Sequence, residues 1–201
     1  MPEQQPSGRR ERKKAATRQK IADTALRLFL ERGYDAVGIR DVAAEADVAV
    51  TTVFSHFASK EALVFERDAD FEQRLARAVT DRAPGEPLVP ALRREIHALV
   101  CHCLADEAAP VWRMIDASSA LREYEGAMRL RHAETLAAAL AAEPGPPRTG
   151  TVRRAIARFV VDAFVLAREA EDPRAAVDEI FRMVEAAWET SGTGAPVSLP
   201  G

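Results

Sequence analysis

Val37-Gly38-Ile39-Arg40-Asp41-Val42-Ala43-Ala44-Glu45-Ala46-Asp47-Val48-Ala49-Val50-Thr51-Thr52-Val53-Phe54-Ser55-His56-Phe57 is the stretch that decides how this 201-residue chain is read. Apolar residues recur in two short helical patterns, over residues 39–46 and 50–57, around a junction at Ala46, Asp47, Val48 and Ala49. Each pattern is barely two turns long, too short to stay helical in water without a packed neighbour. Val42, Ala43, Ala46, Val48, Val53 and Phe57 supply a compact apolar interior, and the small alanines let two helices approach closely, as a helix-turn-helix requires. The second segment then exposes Val50, Thr51, Thr52, Ser55 and His56, short polar or methyl-bearing groups able to touch base edges or thymine methyls in a major groove. The same residues also fit plainer roles, Thr51 and Thr52 as helix caps and His56 as an ordinary surface histidine.

Outward from this stretch, the pattern stays helical. Upstream, Ile21, Ala25, Leu28 and Phe29 share one helix face, with Thr17 as N-cap and Gly33 at the C′ position. Residues 1–16 lack apolar periodicity and carry Pro2, Pro6 and Gly8, so a disordered arm is expected there. Downstream, Ser59 is expected to cap a long helix opening with Lys60 and Glu61. Its stripe is Val64, Asp68, Phe71, Leu75 and Val79, and it ends at Pro84-Gly85-Glu86-Pro87. Asp68, the odd member, reads as a partnered or interface acid. Further helices are expected over residues 89–106, from Pro110, and over residues 121–142 up to Pro144-Gly145-Pro146-Pro147. The last two helices carry the stripes Val152, Ile156, Phe159, Val160, Ala163, Phe164, Ala167 and Val177, Ile180, Phe181, Val184, Ala187, Trp188. Asp172 caps the second, with Pro173 at N1. Val161, Val165 and Leu166 lie off the first stripe and call for burial on another face. A two-fold dimer through Phe159, Val161, Val165, Phe181, Val184 and Trp188 answers that need, as would the central helix of a monomeric bundle. With no strand pattern and no repeat, the fold class is all-α.

The net charge of −3 hides an asymmetry: residues 1–60 hold 11 Lys and Arg against 8 Asp and Glu, whereas the remainder holds 17 against 23. Within residues 7–20 the ratio is 7 to 1, a basic head suited to a polyanion, although a solvated tail would look the same. No apolar run reaches the roughly 18 residues of a membrane span, and the polar N-terminus is not a secretory signal, so a cytoplasmic location without membrane contact is expected. No serine elbow, glycine-rich phosphate loop, zinc motif or meaningful acid pair occurs, so neither an enzyme nor a cofactor is expected.

Residues 17–63 resemble the DNA-binding region of the tetracycline-repressor (TetR) family. The likeness runs through Leu28-Phe29, Gly33-Tyr34, Arg40-Asp41-Val42-Ala43, Thr52-Val53-Phe54, His56-Phe57 and Ser59-Lys60-Glu61-Ala62-Leu63, about a quarter of the chain. The resemblance implies an N-terminal three-helix helix-turn-helix domain (residues 17–63, motif 38–57) behind a basic arm (1–16). A helical ligand-binding and dimerisation domain (64–190) and a flexible tail (191–201) follow. It implies a regulator, usually a repressor, that binds double-stranded DNA as a homodimer and answers a small-molecule effector. Thr51 and Thr52 would meet base edges together with Val50 and Ser55. Phe54 stands where a tyrosine usually touches the DNA backbone, His56 lies near phosphate, and Lys60 matches a phosphate-contacting lysine. Arg18 and Arg40 are placed with these as DNA contacts. Asp47 replaces the usual turn glycine, Ala49 replaces a capping serine, and Phe54 lacks the tyrosine hydroxyl.

For the effector, Trp112, Met114, Tyr124, Met128, His132 and Phe164 are the candidate lining, large or adaptable side chains that also suit plain core packing. His97, Cys101, His102 and Cys103 suggest a metal, but helical spacing converges no more than two of them, so buried structural cysteines are expected.

Overall fold

The computed structural model describes residues 6–66, 68–83, 85–143 and 148–192. Among these the chain is helix, turn and loop, with no strand. The elements are α1 (Pro6–Arg32), α2 (Ile39–Glu45), α3 (Val50–His56), a 3-10 turn (Glu61–Leu63), α4 (Asp68–Thr80), α5 (Leu88–Cys103), α6 (Ala109–Ala117), α7 (Ser119–Ala141), α8 (Gly150–Glu169) and α9 (Pro173–Ser191). They form two compact units: residues 1–68 with 110–124, and residues 69–109 with 125–201. The breaks expected at Pro84 and at residues 144–147, the tail beyond residue 192 and the side chain of Asp68 lie outside the described residues.

In the first unit Ile21, Ala25, Leu28, Phe29, Val37, Val42, Ala46, Val53 and Leu63 are all but sealed from solvent. Ile115 and Leu121, from α6 and α7, complete this core. Two expectations are corrected here. Residues 6–16 are helical, because Arg, Lys, Glu and Ala are good helix formers and extending a helix already packed downstream needs no new nucleus. The helix expected from Ser59 is instead one 3-10 turn followed by a restart at Asp68. Leu63, 1% exposed, and Glu61, bonded to Tyr34, anchor that turn in the N-terminal core. Lys60 therefore does not open an α-helix.

In the second unit α8 and α9 pair along their length and α5 packs on both. The Thr149 hydroxyl accepts from Val152 N to cap α8, and Asp172 accepts from Arg174 N and Ala175 N to cap α9. Arg168 and Glu125 form an enclosed ion pair at 2.9 Å, and Arg82 meets Glu143 at 2.5 Å while also bonding the carbonyl of Val79. Phe71 stacks on His132 at 5.0 Å and meets Phe164 edge-on at 5.1 Å. Val161 and Val165, expected to be left for a second chain, are already covered within this unit, as are Phe181 and Val184. Trp188 lies beneath the Arg148 guanidinium, 3.6 Å from its ring centre. Phe159 is 53% exposed, with Leu166 seven residues on and Met183 on α9 also outside. Cys103 is buried as expected, but Cys101 is exposed, because it sits at the α5–α9 seam facing Arg174 rather than in the core.

Candidate nucleic-acid interface

The turn between α2 and α3 is set by Asp47, whose φ of +51° lies in the left-handed region. Aspartate tolerates that conformation better than most residues, so glycine is dispensable here. Val48 N then bonds back to Ala43 O at 3.0 Å and closes the turn. Ala43 and Ala46 are buried at the crossing, where a larger side chain would force α2 and α3 apart. The Asp41 carboxylate accepts from Gly38 N at 2.8 Å and holds the start of α2. No side chain caps α3, since Ala49 stands at its N-cap and neither Thr51 nor Thr52 takes over that role.

Val53 points inward and is fully buried, which turns the rest of α3 outward. Thr51 and Ser55 are exposed, Val50, Thr52 and His56 are half-buried, and Phe54 is 55% exposed. Its ring therefore stands outside the core of this unit. Ser55 donates to the Thr52 carbonyl at 2.7 Å, so its hydroxyl oxygen keeps acceptor capacity toward a ligand. Arg40 is exposed at the start of α2.

Two of the expected DNA contacts make their bonds within the protein. Arg18 donates to the His56 carbonyl, ion-pairs with Glu66 at 3.4 Å and lies 4.2 Å from the Phe57 ring centre. It clamps the C-terminus of α3 to α1, where a cation also suits the helix dipole. Lys60 donates to the Tyr34 carbonyl at 2.5 Å and sits 4.0 Å over the Tyr34 ring. Tyr34 in turn packs edge-on against Phe29 and donates to Glu61 at 2.9 Å. Lys60 thus braces the loop after α1 against the 3-10 turn, and burial lowers its pKa.

Lys14 is a residue the sequence reading left inside a disordered arm. It now stands on α1 close enough to His56 that burial, Lys14 and Arg18 together hold the imidazole below its ordinary pKa. Arg10, Lys14 and Arg18 recur every four residues and form one stripe that runs toward the end of α3. That spacing was visible in the sequence once helix was granted to residues 6–16. The stripe and the open face of α3 form one surface, short polar groups and an aromatic ring beside cations.

The six effector candidates divide between the two units. Trp112 and Met114 are half-buried against the first unit's core, and Tyr124 stacks on Phe65 of the same unit at 5.4 Å. Met128, His132 and Phe164 are buried in the second unit, where Phe71, absent from the candidates, joins His132 and Phe164.

These features define a helix-turn-helix protein with an all-helical body. Residues 21–66 match the family described as bacterial regulatory proteins, tetR family. The chain is 31% identical over 93 residues to the HTH-type transcriptional regulator TcmR of Streptomyces glaucescens, covering 46% of this chain and 41% of that protein. It is 33% identical over 121 residues to an HTH-type transcriptional repressor of Mycobacterium tuberculosis, covering 60% and 63%. The matched parts thus fall short of two thirds of these relatives' lengths. The crystal structure of the TetR family repressor AlkX from a Dietzia species shares the fold, with a TM-score of 0.61 at 19% identity over 87% of this chain and 98% of that one. Residues 21–66 are thus similar to the helix-turn-helix region of the tetR-family regulatory proteins.

Proposed function

We propose that the chain is a DNA-binding transcriptional regulator that acts in the cytoplasm as a homodimeric repressor on a palindromic operator. The observation that carries this reading is α3, whose Val53 anchors it while Thr51, Phe54 and Ser55 stand open beside the Arg10, Lys14 and Arg18 stripe. Thr51, Thr52, Val50 and Ser55 read base edges, Phe54 packs on the backbone, and Arg40 and Lys14 neutralise phosphate. As a helix, the arm is too wide for the roughly 6 Å minor groove, so it follows the phosphates instead. His56 and Lys60 reach phosphate only at the edge of this surface, and Arg18 supports α3 rather than the DNA.

A second copy meets the exposed Phe159, Leu166 and Met183, and the two reading helices then address half-sites about 34 Å apart. A small apolar or aromatic effector suits the Phe71, His132 and Phe164 cluster. Its binding must favour one arrangement of the chain over another if it is to release DNA. The test is fluorescence anisotropy on fragments selected from the host genome. A dimer that neutralises about 6 to 10 phosphates loses about 10³- to 10⁵-fold in affinity between 50 and 200 mM salt. A flat salt response defeats the proposal.

A further inference from the structure

Along the outer seam of the second unit, α5 and α9 run antiparallel and meet in rungs four residues apart. Arg174 donates to Cys101 Sγ at 3.5 Å, and one turn on His97 Nε2 lies 2.9 Å from Asp178 Oδ1. One further turn along each helix sets Arg93 opposite Arg182. Both line an open groove of about 600 Å³, together with Pro90, Arg94, His97 and Asp178. The rung that continuity would fill with opposite charges holds two guanidinium groups.

Neighbouring acids answer these charges only at a distance. Glu86 is taken by Arg94, and Asp178 is taken by His97. Among the described residues neither Arg93 nor Arg182 has an acid within ion-pair distance. Arg93 is half-buried, so it gives up part of its water without an ionic partner. His97 first, and then the charges of Arg93 and Arg182, hold the Asp178 carboxyl below its ordinary range, which shows that both arginines reach the groove electrostatically. Like charges that face each other across a seam are unfavourable unless an anion lies between them.

We propose that Arg93 and Arg182 together bind a small polyanion through a phosphate or carboxylate group held in this groove. Two planar guanidiniums on facing helices can each donate a parallel pair of hydrogen bonds to such a group. The occupant is a small molecule rather than an acidic protein segment, because Asp178 stands one rung away and repels a chain that would extend along the seam. The site lies on α5 and α9 of the second unit and does not depend on the DNA-binding reading.

The test is calorimetric titration of the full chain with pyrophosphate and, separately, with citrate. Saturable binding is expected, with Arg93→Ala and Arg182→Ala each weakening it about tenfold. Asp178→Asn is expected to tighten it, a gain that a merely disrupted fold cannot produce. Preference for one anion over the other assigns the group as phosphate or carboxylate. The anion should also raise the Tm of the wild-type chain and leave that of the double alanine variant unmoved. Absence of saturable binding of both anions overturns the proposal. So does equal binding by the wild-type chain and the double variant, which would place the anion on the basic arm.

Discussion

The enclosed arginines of the second unit and the cations at the start of α1 are used in opposite ways. In the body Arg82, Arg168 and Arg74 are matched to Glu143, Glu125 and Glu95, two of these pairs largely enclosed. At the start of α1 the cations stand exposed, and among the described residues of its first four turns Arg18 alone is drawn into ion pairing and the clamp on α3. The lesson is that charge count says little about function until each charge is sorted by whether the fold already answers it. A matched, enclosed guanidinium holds helices together, whereas an unmatched row remains available to a polyanion.

The largest effect should come from breaking a matched pair. Arg168→Ala strands Glu125 in the body and is expected to cost about 3–5 kcal/mol of stability, read by urea unfolding. A variant as stable as the wild type would remove the distinction between enclosed and exposed arginines. Next, Ile115→Ala should cost about 2–5 kcal/mol and weaken DNA binding, because that side chain completes the core beneath the reader. Were stability to fall with DNA affinity intact, α6 would not support α3. Replacing Arg10 and Lys14 by alanine together should leave stability within about 0.5 kcal/mol, yet lower the salt slope of DNA binding by about 4, two cations being lost from each subunit of the dimer. An unchanged slope would show that this row does not touch phosphate.

The smallest expected effect is on pH. His56 titrates below the ordinary histidine value in the fold, with burial the first cause and Lys14 and Arg18 next. Below about pH 6.5 the unfolded chain therefore takes up more protons than the folded one, and stability declines as the pH falls through that window. Phosphate beside Lys14 and Arg18 relieves the repulsion, so DNA affinity should strengthen over the same window. His56→Gln should flatten both trends, as urea unfolding and anisotropy between pH 5 and 8 would record. If DNA binding weakened on acidification, His56 would lie away from phosphate.

Much of this was legible in the residues. Helix periodicity located the two short helices, the Asp172–Pro173 start of α9 and the Gly33 stop of α1, because each depends on local spacing or backbone preference. Asp47 was readable as a left-handed turn residue for the same reason. What escaped notice was non-local. The helicity of residues 6–16 depends on extension from a packed helix, and the break after Leu63 depends on where Leu63 must be buried. Whether Val161 or Phe159 faces outward depends on which flank α5 and α9 occupy, which a helical wheel does not record. Lys60 shows the same limit. Its position matched a phosphate contact, yet the neighbouring Tyr34 carbonyl and ring engage it first.

The most direct measurement is selection of random DNA duplexes by the wild-type chain and by Thr52→Ala in parallel. The expected result is a two-fold symmetric sequence whose half-sites are about one helical turn apart, with the variant changing preference at symmetric positions and leaving the flanks alone. Enrichment of no sequence by the wild type, or of the same bases by both proteins, would contradict the claim that the open face of α3 reads DNA.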